Sequence, residues 1–355
     1  MFHSNRIFSQ SLQNAYNNNR IEEMLSKIYL KSAITQPELA TGAGNCLTYG
    51  LCSVQGWRRY QEDAHVAALD FDDQWSLFAV FDGHNGPEVA LLARQRLPQM
   101  LRDNKCFIAG EIDRSLEQVF MAFDALLLTR TAHNQLFELR RSALGNENMS
   151  PNDKPGVSSG CTALVVLINR ETDTVYVANI GDSRCVLSRS GKVTPMSTDH
   201  KPEDRPERKR IERAGGHIID GRINGGLNLS RAFGDHQYKR NRLLLAEEQM
   251  VTSWPEIKVK QFKPKSGDFL VIACDGIWNT LSTNKVAKFV DKRLKSGRHQ
   301  LTDICQQLTY RCMSPVLPIH GIGGDNMTCI IVRFDGQPSS SPSPSVSLSL
   351  SSMDR

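Results

Sequence analysis

The chain has 355 residues, 40% apolar and 23% charged, with a formal net charge of +5 from 43 basic and 38 acidic side chains. That composition suits a globular protein with a substantial core, and the mild charge lacks the concentrated basic face that nucleic acid requires. No run of about 18 apolar residues is present to span a membrane.

Residues 1–45 read as a polar leader with one short helical stretch over Ile21–Leu30. Its first 20 residues hold no acid and only Arg6 and Arg20 as bases, a thin version of a mitochondrial presequence. There is no secretory apolar region and no Met-Gly start, so the cytoplasm or nucleus is expected, with mitochondria the lesser alternative. Alternating apolar patterns predict strands over Leu47–Val54, Ala64–Phe71 and Trp75–Phe81, the last two joined by Asp72-Asp73-Gln74. Residues 86–101 predict a helix opened by Pro87 and ended or kinked at Pro98. Residues 111–130 carry Ile112, Leu116, Val119, Phe120, Phe123, Leu126 and Leu127 on one stripe at helical spacing. Residues 142–159 are rich in Asn, Ser, Gly and Pro and read as a loop.

Three short strands follow, Cys161–Ile168, Thr174–Ile180 and Cys185–Ser190, the last two read as a hairpin. Asp204-Arg-Pro-Glu207 opens a helix that Gly215-Gly216 stops. Its charges, Arg205 to Arg213, read first as a solvated face and second as an electrostatic guide for acidic substrates. Residues 217–245 read as an irregular excursion, Phe269–Cys274 as a buried strand, 283–294 and 301–312 as helices, and Met327–Phe334 as the closing strand. The Ser- and Pro-rich segment 337–355 is expected to be disordered. Strands in adjacent runs with the long helices grouped apart indicate an α+β fold of antiparallel sheets flanked by helices. A single domain over 46–336 is expected. The nine cysteines are odd in number and form no Cys-x-x-Cys, which fits small hydrophobes in a reducing compartment.

Six acidic fragments run the length of this domain: Glu62-Asp63, Asp82-Gly83-His84, Asp182, Asp235, Asp275-Gly276 and Asp325-Asn326. Several close an apolar run, and a lone carboxylate at the end of a buried strand is expensive to desolvate. Convergence of these ends around a cation explains the pattern. Oxygen donors without paired His or Cys select a hard ion, Mg²⁺ or Mn²⁺.

The fragments in their surroundings resemble the metal-dependent protein phosphatases of type 2C. The matching stretches are Gly56-Trp-Arg-Arg-Tyr-Gln-Glu-Asp-Ala-His65, Phe81-Asp-Gly-His-Asn-Gly86, Ser159-Gly-Cys-Thr-Ala163, Asn179-Ile-Gly-Asp-Ser-Arg184, Asp199-His-Lys-Pro202, Leu229-Ser-Arg-Ala-Phe-Gly-Asp235, Ala273-Cys-Asp-Gly-Ile-Trp278 and Gly324-Asp-Asn-Met-Thr328. The resemblance implies a four-layer α-β-β-α sandwich, a two-ion Mg²⁺ or Mn²⁺ centre at one end, and hydrolysis of phosphoserine and phosphothreonine by a water that the two ions activate. It implies phosphorylated proteins as partners, with neither nucleic acid nor membrane, and a monomer.

Residue by residue, the resemblance assigns Asp82 as the carboxylate bridging the ions and the Gly83 carbonyl as a neutral ligand. Asp275 and Asp325 complete one ion's shell, and Glu62 serves the other through water. Asp63, Thr162 and Asn326 are expected behind the ligands, where they orient them and their water. His84 matches the proposed general acid and Arg58 the phosphate-binding guanidinium. Asp182 and Asn279 mark a possible third ion, which Asn279, standing where the family often has Asp, should weaken. Arg231 and Asp235 read as structural, holding the loop beside the site. His65 and His200 read as satisfied structural histidines. The competing class is a noncatalytic adaptor of the same fold, which should have lost the metal carboxylates that remain here. Sequence discriminates poorly against small phosphate esters as substrates.

Overall fold

A computed structural model describes residues 23–146, 149 and 154–336. The presequence-like residues and the Ser-rich tail lie outside the described residues. Two antiparallel sheets stack face to face. The first runs, edge to edge, Lys192–Pro195, Arg184–Arg189, Phe269–Ala273, Met327–Phe334, Leu47–Val54 and Glu38–Gly44. The second runs Phe233–Gly234, Gly160–Cys161, Trp75–His84, Ala163–Asn169, Thr174–Ile180 and Glu256–Gln261, with Asp63–Asp72 paired to the other side of Trp75–His84.

The period-2 alternation of each strand sorts its side chains between layers. Phe78 and Val80 face the other sheet with Leu164, Val166, Leu270, Ile272, Ile330 and Val332, while Leu77, Ala79 and Phe81 turn outward. The outward face of the second sheet is covered by the helices Glu88–Arg102 and Ile112–Leu126, whose stripe of Ile112, Leu116, Val119, Phe120 and Phe123 is buried. The first sheet is covered by Thr283–Ser296 and Leu301–Cys312. Gly50 lets the latter helix approach: a Cβ there would lie 2.4 Å from the Leu301 backbone. The α-β-β-α order read from the resemblance is thus the one observed.

Four local readings change. Residues 29–44, read as part of the leader, form strands: Tyr29–Ile34 pairs with Gly56–Arg58, and Glu38–Gly44 is the edge of the first sheet. Their polar composition suits an edge strand, which has one exposed face and one open flank. Thr174–Ile180 and Arg184–Arg189 do not form a hairpin. The chain crosses between sheets at Gly181, so the first pairs with Ala163–Asn169 and the second with Lys192–Pro195. The helix Glu88–Arg102 does not end at Pro98, which lies inside it, half-buried. A helix that the sequence did not announce, Arg130–Leu144, follows Ile112–Leu126, capped by Thr129 Oγ1 accepting from Ala132 N at 3.2 Å.

Candidate active site

Register carries the acids to one end of the sandwich. Asp63 and Asp82 are direct cross-strand partners at the end of the Asp63–Asp72 and Trp75–His84 pair. From the facing sheet, Asp275 follows Phe269–Ala273 and opens the short helix Asp275–Trp278. Asp325 and Asn326 precede Met327–Phe334. Asp182 stands just past Thr174–Ile180. Carboxylate oxygens of Asp82, Asp182 and Asp275 all lie within 4.8 Å of one another.

Mutual repulsion and burial mark these groups. Desolvation first, then Asp63, Asp275, Asp325 and Asp182, push the Asp82 carboxyl well above the usual carboxylate range. Desolvation, then Asp182 and Asp325, do the same to Asp275, although Lys201 opposes them. Burial also raises Glu62 against the pull of Arg58, and raises Asp63 to about 7 even though Thr328 donates to it.

The backbone around the ligands is fixed by polar side chains. Asn326 Oδ1 accepts from Glu62 N at 2.9 Å, while its Nδ2 donates to Gln55 O at 2.8 Å and Tyr60 O at 3.0 Å. One buried amide therefore ties the 55–62 segment, as it crosses between the sheets, to the start of Met327–Phe334 in the first sheet. Thr162 Oγ1 accepts from Asp82 N at 3.1 Å, and Thr162 N donates to Asp82 O at 2.9 Å, which clamps Asp82 from both sides of its peptide unit. Glu62 is aimed by Gly86 N, which donates to its Oε1 at 2.6 Å. Gly83 must lack a side chain, because a Cβ would lie 2.4 Å from Glu62 O.

Arg58 reaches Asp325, Nη2 to Oδ2 at 2.9 Å, and its Nε is buried with no acceptor among the described residues. Burial opposes its charge, but Asp325 and Glu62 hold the guanidinium protonated. His84 Nε2 lies 2.6 Å from Asp235 Oδ2. Burial would lower the imidazole pKa, yet Asp235 outweighs it and the pKa rises. Asp235 is fully buried and holds a left-handed backbone, φ +51°, uncommon for a residue with a side chain. Asn279, exposed, donates Nδ2–H to Asp275 Oδ2 at 2.8 Å, and the Lys201 ammonium bonds Asp182.

The structure thus brings Arg58, Glu62, Asp63, Asp82, Gly83, His84, Thr162, Asp182, Asp275, Asn279, Asp325 and Asn326 to one end of the sandwich. Sequence reasoning missed three partners: Thr328 on Asp63, at 2.6 Å, Lys201 on Asp182, and Asp235 on His84. Asp235 was visible as the end of the Leu229–Asp235 fragment, but not as a neighbour of His84. The Gly160–Cys161 strand joins them, pairing with His84 on one side and Gly234 on the other. A cavity of about 530 Å³ lined by Leu47, Ile168, Val175, Phe262 and Phe334 opens at the other end of the sandwich, away from these groups.

Comparison with known proteins agrees with this geometry. The family profile described as Protein phosphatase 2C matches residues 47–316. "Probable protein phosphatase 2C 21" of Arabidopsis thaliana is 39% identical over 331 residues, covering 86% of this chain and 92% of the relative. "Protein phosphatase 2C homolog 2" of Schizosaccharomyces pombe is 39% identical over 311 residues, covering 86% and 78%. Among solved structures, a phosphatase from Toxoplasma gondii shares the fold at a TM-score of 0.64 and 22% identity, over 89% of this chain and 97% of that one. The chain belongs to the protein phosphatase 2C family, the metal-dependent protein serine/threonine phosphatases.

Proposed function

We propose that the carboxylate cluster holds two divalent cations, Mg²⁺ or Mn²⁺, and that phosphoserine and phosphothreonine in protein substrates are hydrolysed against it. The observation that carries this reading is a charge imbalance built into strand ends. Glu62, Asp63, Asp82, Asp182, Asp275 and Asp325 converge and repel, and the cations facing them among the described residues are Arg58, Lys201 and His84. Oxygen-only donors with this excess of negative charge fit hard divalent ions. Asp82, the Gly83 carbonyl, Asp275 and Asp325 would hold them, with Glu62 at the rim. Bound there, such ions supply Lewis acidity toward phosphate oxygens and lower the pKa of water.

The chain's own groups supply the rest. Arg58, whose side chain is 35% exposed with Nη2 anchored on Asp325, is placed to donate to nonbridging phosphate oxygens and offset their charge. His84, whose imidazole pKa Asp235 raises against burial, is placed to give a proton to the departing seryl or threonyl oxygen. Asp235 acts through His84, fixing its ring and its charge, and is a positioning residue. Asn279 and Lys201 both work against a third divalent ion, since the amide N–H faces Asp275 and an ammonium holds Asp182. Replacing Asn279 with Asp should strengthen binding of such an ion.

Phosphate release from a phosphothreonine peptide tests the reading. Turnover is expected with Mn²⁺ and its loss is expected in EDTA and in Asp82→Asn. Undiminished release in EDTA would refute it.

A further inference from the structure

One wall of the acidic cluster is sulfur. Cys274 follows the Phe269–Ala273 strand, and its Sγ lies with carboxylate oxygens of Asp63 and Asp82, all within 4.8 Å of one another. Two of the three are deep: Cys274 is 0% exposed and Asp63 7%. Asp82 is the partly open member and gives access from the site. Asp63 Oδ2 accepts from Thr328 Oγ1, but Oδ1 is buried with no hydrogen-bond partner among the described residues. Burial raises the pKa of that carboxyl, and the Cys274 thiol, which faces it, works against the rise. The sulfur is oriented as well. Thr328 N donates to Sγ at 3.2 Å, and the thiol donates to Asn326 O at 3.5 Å. The backbone N–H would go on supporting negative charge on sulfur after the proton leaves.

This donor set differs in kind from its neighbour. Asp82, Asp182 and Asp275 offer oxygen alone. Asp63, Asp82 and Cys274 offer two carboxylates and a thiolate, a combination suited to a borderline or soft divalent ion. We propose that Asp63, Asp82 and Cys274 form a separate thiolate–carboxylate site for Zn²⁺ or Cd²⁺, set behind the oxygen-only site and sharing Asp82 with it, so that a thiophilic ion bound there inhibits the enzyme. Coordination exchanges a proton for the metal: Cys–SH and M²⁺ give Cys–S⁻–M²⁺, with one H⁺ released to solvent. The inhibition rests on the catalytic reading of Asp82 given above; the binding does not.

The test uses the full chain stripped of metal, in a background carrying Cys46→Ser and Cys106→Ser to remove the cysteines that are not buried. Cd²⁺ is titrated while the ultraviolet sulfur-to-cadmium charge-transfer band is recorded, and bound Cd²⁺ is counted by equilibrium dialysis. A saturating band is expected, with one more bound Cd²⁺ per chain than in the Cys274 variants. The band should vanish in Cys274→Ser and Cys274→Ala, and Asp63→Asn should weaken binding by roughly tenfold or more. With Mn²⁺ supporting turnover, Cys274→Ser should need at least roughly tenfold more Zn²⁺ for half inhibition. An unchanged band in both Cys274 variants, or no band at saturating Cd²⁺ in the background protein, overturns the proposal. Failure of the phosphatase reading would appear separately, as a normal cadmium band in a protein that releases no phosphate with Mn²⁺.

Discussion

Lowering the pH should loosen the excursion beside the site by protonating one buried carboxylate, Glu207. This side chain, in the helix Arg205–Arg213, is 2% exposed and accepts from Arg231 Nη2, Arg210 Nη1 and Ser230 Oγ, each at 2.7 Å. Arg210 and Arg231 also bond the carbonyls of Gln249 and Trp254, so Glu207 ties the helix to residues 229–254. Burial alone would raise its pKa; Arg231 and Arg210 overcome that and hold it at about 2, against 4.5 for a free glutamate. That difference of about 2.5 units corresponds to about 3 kcal/mol. Because the folded-state pKa is the lower one, this stability is present in full above the unfolded pKa and is lost as pH falls toward about 2. Linkage places the loss at roughly 0.8 kcal/mol by pH 4 and roughly 2 kcal/mol by pH 3. Urea unfolding of the wild type and Glu207→Gln across this range reads it directly. The variant should be less stable by about 3 kcal/mol or more at pH 7, since two largely buried guanidinium groups lose their anion. The gap should narrow by about 2 kcal/mol at pH 3. A gap that stays constant between pH 7 and pH 3 would refute the assignment.

Asp82→Asn should abolish turnover yet stabilise the metal-free protein by about 1 kcal/mol, raising Tm in EDTA by roughly 1–2 °C, because it removes one of several repelling charges; a lowered Tm would contradict the repulsion. Gly83→Ala should cut kcat/KM by roughly a hundredfold, since its Cβ forces the Glu62 carbonyl aside from 2.4 Å. A fully active variant would show that this approach is not needed. Asp235→Asn should slow an alkyl phosphate by roughly ten- to a hundredfold and an activated aryl phosphate much less, as expected when a proton donor is impaired. Equal losses on both substrates would make Asp235 a structural residue only.

The layers were legible because burial imposes a strict period on the chain. The apolar stripe of Ile112 to Phe123 and the alternation through Trp75–Phe81 can each be satisfied by one kind of element. The edge strand Glu38–Gly44 was not legible, because an edge with one exposed face needs little apolar patterning. Arg130–Leu144 was hidden for a related reason: it buries only Ala132, Leu136 and Leu144, too few to mark a face. At the site, the ligand positions were readable as carboxylates ending apolar runs. Their supports were not. Thr328 to Asp63 and Asp235 to His84 are contacts across 265 and 151 residues of sequence, set by strand register that no local pattern encodes. Strand register also explains why Asp235 looked merely structural. Only the pairing of Gly160–Cys161 with both Trp75–His84 and Phe233–Gly234 brings it to the imidazole.

The placement of the acids within the sheets explains how such a repulsive cluster persists. Asp82 lies in Trp75–His84, Asp275 follows Phe269–Ala273 and Asp325 precedes Met327–Phe334, strands each paired on both flanks; of the strands paired on one flank only, Asp63–Asp72 contributes Asp63, and Glu38–Gly44, Lys192–Pro195 and Glu256–Gln261 contribute no acid to the site. A central strand cannot retreat from its neighbours without breaking two ladders and opening the apolar layer that Phe78, Val80, Ile272 and Ile330 fill between the sheets. The repulsion therefore cannot relax by backbone movement. It is relieved by protons, which the raised carboxyl pKa values record, or by cations. A cation that enters such a cluster finds its ligands already positioned, so its binding energy is not diverted into ordering the chain.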